Sequence, residues 1–140
     1  MRMLLNPPQL NKPWATDKAL LLLRLVTGSI FLVHGLPKLQ NVAMTTAFFT
    51  KIGIPMAGFF APFVGVVEVV GGIMLILGLM TRFWAAGFVI DMVVAILAAK
   101  GLASFSGYEF ELLLAVSSFA LFLQGGGRYA VDAWLLKKMK

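Results

Sequence analysis

Four long apolar runs, at about residues 17–36, 61–79, 83–100 and 107–124, alternate with short stretches rich in glycine, proline and charge. A helix of about 20 apolar residues matches the hydrocarbon thickness of a bilayer, so each run predicts a membrane span. Local signals set the expected ends. Thr16 or Asp17 can cap the first helix, and Pro37 ends it. Pro62 is tolerated in a first turn and disruptive deeper in, which starts the second helix near Ala61. Residues 79–82 form a tight turn. Ser106 followed by Glu109 is a capping-box pattern that opens the fourth helix near Gly107, and Gly125, Gly126 and Gly127 stop it.

The stretches between and beyond the runs are also patterned. Residues 41–57 mix Thr45, Thr46, Thr50 and Lys51 with Phe48 and Phe49, which suits a short interfacial helix broken at Gly53 and Pro55. Pro7, Pro8 and Pro13 resist helix and make residues 1–16 a polar lead-in, with Trp14 at the interface. The tail sets Trp134, Leu135 and Leu136 beside Lys137, Lys138 and Lys140, an amphipathic segment suited to headgroups. Residues 19–33 contain Arg24 and lack a small-x-small cleavage site, so the first run reads as a retained span and not a signal peptide. The expected fold is all-α: one integral membrane domain over residues 1–140, an up-down-up-down four-helix bundle.

Composition agrees. The chain is 60% hydrophobic and only 13% charged, with a mean hydropathy of +0.91. It has no cysteine, which excludes disulfides, thiolate metal sites, iron–sulfur clusters and thiol redox chemistry within the chain. Any redox role must draw on a bound molecule or another subunit. The net charge of +6 follows membrane topology and not nucleic acid, because the cations lie at span ends and not in a patch interleaved with aromatics. Eight of the twelve Lys and Arg fall on the side of both termini and the 79–82 turn, against Lys38, Lys51 and Lys100 opposite. The positive-inside rule then places both termini in the cytoplasm of a bacterial-type inner membrane. A single histidine cannot supply bis-histidine haem ligation, and no metal site is expected. Ser117 and Ser118 have no histidine placed to activate them, and the triple glycine does not follow a strand, so neither a stand-alone hydrolase nor a phosphate loop is expected.

Ionisable residues inside spans are costly unless paired, and they mark candidate chemistry. Glu68 lies on a seam with Gly58, Ala61, Gly65 and Gly72, spaced 3, 4, 3 and 4, where another helix can approach. In the first helix Arg24, Thr27, Phe31 and His34 share a face flanked by Gly28 and Gly35. Thr27, Gly28, Gly65 and Gly72 are the expected seam lining. Asp91 shares a face with Gly87, Ala95 and Ala98. Arg24, Glu68 and Asp91 fall within about 11 Å in depth at 1.5 Å per residue, so they can form one buried cluster. Two carboxylates on one guanidinium leave an uncompensated charge, which predicts a proton shared between Glu68 and Asp91. His34 and Glu111 form an outer group that can connect this cluster to the outside; Glu109 is expected to cap, and Glu111 to turn inward with Ala115 and Ser118. Such groups can grip a carbonyl or hydroxyl of a lipophilic ligand. They can equally be a structural ion-pair network that sets helix register in a non-catalytic assembly protein. A small transporter is a third reading, although four helices without an inverted repeat leave little for alternating access.

The combined pattern resembles the DoxX/DoxD family of small four-helix membrane proteins. The resemblance rests on Arg24 with Gly28, on His34-Gly35-Leu36-Pro37-Lys38, on Glu68 with Gly71-Gly72, on Gly78-Leu79-Met80-Thr81-Arg82, on Glu109, and on Gly125-Gly126-Gly127-Arg128-Tyr129-Ala130-Val131-Asp132. It spans residues 20–133. It implies a compact bundle linked to membrane redox metabolism, since some relatives look like subunits of thiosulfate:quinone oxidoreductase and others like members of oxidative- or thiol-stress complexes. By position the matching polar residues are Arg24, His34, Lys38, Glu68 and Asp132, the last read as a cap of the tail helix. The absence of cysteine argues against autonomous sulfur oxidation. The expected ligand is a quinone held at Arg24, Glu68 and Asp91, with His34 and Glu111 nearby. The expected partners are the lipid bilayer and other membrane or peripheral redox subunits, or further copies of the chain, with no nucleic acid.

Overall fold

The computed structural model describes residues 13–139; residues 1–12 of the expected lead-in 1–16, with Arg2 and Lys12, lie outside the described residues, as does Lys140. Residues 13–16 instead form the first turn of a helix, where Pro13 gives up no helical hydrogen bond. The described chain is all-α: α1 Pro13–Gln40, α2 Val42–Lys51, α3 Ala57–Leu77, α4 Thr81–Ala95 prolonged by a π-helical turn Ile96–Lys100, α5 Phe105–Gln124 and α6 Val131–Lys138. Four of these units, namely α1, α3, α4 with its π turn, and α5, are long and apolar enough to cross a membrane.

Glycines set the closest crossing. A Cβ on Gly28 would lie 2.7 Å from the Gly72 carbonyl oxygen, and one on Gly72 equally close to that of Gly28. Further along, Gly35 meets Glu68 and Val69, and Gly65 meets Leu39 and Lys38. Contacts that rise in number along α1 fall along α3, so the two run antiparallel, backbone against backbone. α4 packs in turn on α5. Between the two pairs lies the core, where the Phe31 and Phe88 rings stack 3.7 Å apart among Leu75, Met92, Leu114 and Leu121. The bundle thus has a tail end, where the start of α1, the 78–81 turn and residues 124–138 meet, and an opposite end where α1 stops and α5 begins.

Several helix ends differ from expectation. α1 runs through Pro37 to Gln40; the ring forfeits one bond to Val33, but Asn41 N–H still reaches the Pro37 carbonyl at 3.0 Å, and continuing the helix lets Leu39 fill the notch over Gly65. α3 starts at Ala57, four residues early, with Pro62 inside its second turn. α5 opens at Phe105 after Ser104. The capping box does not form: the Ser104 and Ser106 hydroxyls bond each other at 3.0 Å, and Glu109 is exposed. The segment after α1 is a helix as expected, capped by Asn41 Oδ1 accepting from Met44 N–H, and it packs Phe49 against Ala57 and Ala61.

Candidate functional site

The α1–α3 seam brings Glu68 hard against α1. A helical side chain leans toward its own N-terminus, and antiparallel neighbours therefore lean opposite ways. Glu68 on α3 leans toward the end where α1 stops. There Lys38 Nζ donates to Glu68 Oε2 at 2.5 Å. The Glu68 side chain is 2% exposed and that of Lys38 29%, so a sealed carboxylate meets a cation that still reaches solvent. Asp91, half-buried on α4, lies within the field of both Glu68 and Lys38. Its Oδ2 is buried without a hydrogen-bond partner.

Beside this pair opens a cavity of about 120 Å³, lined by Lys38, Glu68, His34 and Glu111 with Phe31, Met92, Phe110 and Leu114 among the apolar walls. Glu111 turns inward as expected, and Lys100 Nζ lies 3.4 Å from its Oε1. The π turn brings Lys100 there: Gly101 N–H bonds the Ile96 carbonyl five residues back at 2.7 Å, which swings the end of α4 toward α5. Such turns occur often at functional sites. His34 and Phe110 are exposed at the rim, their rings 5.7 Å apart.

Arg24 is not part of this group. It leans toward the N-terminus of α1, away from Glu68, and its guanidinium donates to the carbonyls of Gly126 at 2.8 Å and Tyr129 at 3.2 Å. It is 2% exposed. The expected cluster of Arg24, Glu68 and Asp91 is therefore divided, and Lys38 takes the place expected for Arg24. One carboxylate remains in excess of the cation, as in the charge argument for a shared proton. Thr27 is buried on α1, and Gly28 and Gly72 form the crossing itself, so these line the seam and not the cavity.

Asp132 also differs from expectation. It lies inside α6, and its carboxylate caps α4 instead, accepting from Met80 N–H at 2.8 Å and Thr81 N–H at 2.9 Å. Met80 has a left-handed φ of 53°, an unfavourable conformation for a side-chain-bearing residue that the two bonds help to hold. Asp132 N–H returns to the Gly78 carbonyl at 3.0 Å.

The site residues that sequence reasoning passed over are Lys38, Lys100, Phe31 and Phe110. Lys38 was matched only by resemblance; ending α1 at Pro37 hid the fact that His34 and Lys38 stand one turn apart on a continuous helix. Chemically, the cavity offers a donor in Lys38, an acceptor in Glu68 and an exchangeable group in His34. Its apolar wall is made by Ile30, Phe31, Met92, Ala95, Phe110 and Leu114. Its volume approaches the roughly 150 Å³ that admits benzene and falls below the roughly 300 Å³ of drug-sized sites. At about 120 Å³ it is smaller than a cavity that holds benzene, and its opening beside His34 and Phe110 is where any larger group must extend.

A family model described as DoxX matches residues 19–101. That stretch carries His34, Lys38, Glu68 and Asp91, while Phe110, Glu111 and Leu114 lie beyond it. Among curated proteins, "Putative oxidoreductase CatD" of Bacillus subtilis (strain 168) is 40% identical over 121 residues, covering 86% of this chain and 89% of that one. "Uncharacterized membrane protein Rv3486" of Mycobacterium tuberculosis is 35% identical over 131 residues, covering 83% and 80%. An uncharacterized protein of Haemophilus influenzae is 33% identical over 124 residues, covering 83% and 90%. No solved structure matches significantly.

Proposed function

Since the chain belongs to the DoxX family of membrane proteins, we propose that it is a quinone-binding subunit of a membrane redox complex. The observation that carries this reading is the rim-open cavity with the Lys38–Glu68 pair, its carboxylate buried, on one wall and Phe31, Met92 and Leu114 on the others. The name of the Bacillus relative, "Putative oxidoreductase CatD", is consistent with it. A bound quinone supplies carbonyl oxygens that accept hydrogen bonds and takes up two protons and two electrons on reduction. Lys38 Nζ would be the donor to one of those carbonyls, and the Glu68 carboxylate beside it would be the group able to take a proton from the aqueous side. His34 and the Lys100–Glu111 pair at the opening exchange protons with the aqueous side. Electrons come from a partner subunit or a second bound molecule, because the chain has no cysteine of its own. With the tail end cytoplasmic, the cavity opens toward the outer face of the inner membrane.

Glu68→Gln removes the charge at nearly constant shape. In mild detergent its affinity for a short-chain benzoquinone should fall about tenfold, equivalent to about 1.4 kcal/mol, with the helical spectrum and unfolding midpoint retained. An unchanged dissociation constant in a folded variant overturns the site. The competing reading is a register-setting ion pair in an assembly protein, favoured by the direct bond from Lys38 to Glu68 across the α1–α3 seam. It expects the joint Lys38→Met and Glu68→Leu variant to keep both fold and partner binding.

A further inference from the structure

The tail end carries a feature that the cavity does not explain. Its acidic groups among the described residues are committed to the backbone: Asp132 caps Met80 and Thr81, and Asp17 Oδ1 accepts from Arg128 N–H at 2.9 Å. The cations Lys18, Arg82, Arg128, Lys137 and Lys138 are all exposed there and form no ion pair among the described residues. They are spatially grouped, because Arg128 is tied to the start of α1, Arg82 Nη2 reaches the Leu123 carbonyl, and α6 is tied to the 78–81 turn. Exposed Trp14, Tyr129, Trp134 and Leu136 stand among them. Lys138 Nζ lies 3.9 Å over the Trp134 ring and Lys18 Nζ 5.1 Å over Trp14.

We propose that this end is a binding surface for anionic lipid headgroups, centred on α6. Three observations select that occupant. The surface has a surplus of unneutralised cations, which attracts anionic and not zwitterionic headgroups. Its aromatic and aliphatic side chains are exposed beside the cations, the arrangement of a helix lying in an interface. It closes the ends of four membrane-spanning units, so headgroups border it by geometry. The backbone clamps hold α6 in place before lipid arrives, which leaves less ordering to be done on binding. The surface is independent of the quinone reading.

The test is native mass spectrometry of the full chain in mild detergent, titrated with phosphatidylglycerol and, separately, phosphatidylcholine. The wild type should retain phosphatidylglycerol preferentially, and raising the ionic strength before transfer should shrink the preference. Lys137→Gln with Lys138→Gln should lower the ratio of retained phosphatidylglycerol to phosphatidylcholine about tenfold or more. Lys51→Gln, at the opposite end, should leave it unchanged. Lys18→Gln with Arg128→Gln is the second variant, since Arg128 holds Asp17 through its backbone N–H. Equal retention of the two lipids by the wild type, or a preference that survives both double variants, overturns the proposal. So does a double variant that keeps the lipid preference and loses a co-purifying protein, which would make the surface a protein interface.

Discussion

Arg24 spends its guanidinium on two carbonyls of the chain's last loop, and that determines what its loss does. Arg24→Lys replaces a fork with a point charge and gives up one of the two bonds. It should cost about 1.5–3 kcal/mol in detergent-denaturation experiments, the range for hydrogen bonds to charged groups. Quinone affinity per folded molecule should stay at the wild-type value, whereas an arginine in the ligand site would lower it. Asp132→Ala leaves the Met80 and Thr81 N–H groups without their acceptor. The expected loss is about 0.5–2 kcal/mol, as for other helix caps, with Asp132→Asn recovering part of it. Arg24 and Glu68 both stood out in the sequence as ionisable groups inside spans, and both are buried. Their partners could not be read there, because depth counted along the Cα trace ignores that side chains on antiparallel helices lean apart.

At the scale of elements, the glycines divide into those that a helix crossing requires and those that it does not. A methyl on Gly72 would meet backbone at 2.7 and 2.8 Å, which cannot move aside as a side chain can. Gly72→Ala should force α1 from α3 and cost about 1–3 kcal/mol, with the Lys38–Glu68 pair disturbed as well. Gly87 meets nothing within 4 Å. Gly87→Ala should leave stability unchanged or raise it by up to about 1 kcal/mol through helix propensity, and comparing the two melting curves checks both. The spacing of Gly65, Glu68 and Gly72 made the seam legible in the sequence, since small residues at helical spacing have one geometric use. The π turn was not legible. Nothing in Ile96-Leu97-Ala98-Ala99-Lys100 departs from an ordinary helix pattern, and only the position of α5 rewards the extra residue. Deleting Ala99 should restore α-helical phase, rotate Lys100 away from Glu111 and weaken quinone binding several-fold, with the fold kept.

Across the whole molecule, the last residues act as a closure. Arg24 and Arg82 hold residues 123–129, Asp17 holds Arg128, and Asp132 holds the 78–81 turn. These bonds join the α1–α3 pair to the α4–α5 pair at one end, while the ring stack of Phe31 and Phe88 joins them in the core. Removing residues 131–140 should lower stability by more than Asp132→Ala alone, as read from unfolding in the same detergent, while the four spans remain.

The sequence by itself determined the number of spans, the all-α class, the glycine crossing and the family resemblance, because each rests on local composition or on a period of 3.6 residues. Only the tertiary structure decided which charge meets which. Pairing depends on the direction and length of a side chain, on whether a helix runs one turn past a proline, and on where a distant loop leaves its carbonyls. Lys38 therefore replaced Arg24 beside Glu68, and Arg24 and Asp132, alike as polar residues in the sequence, became the clamps of the chain's far end.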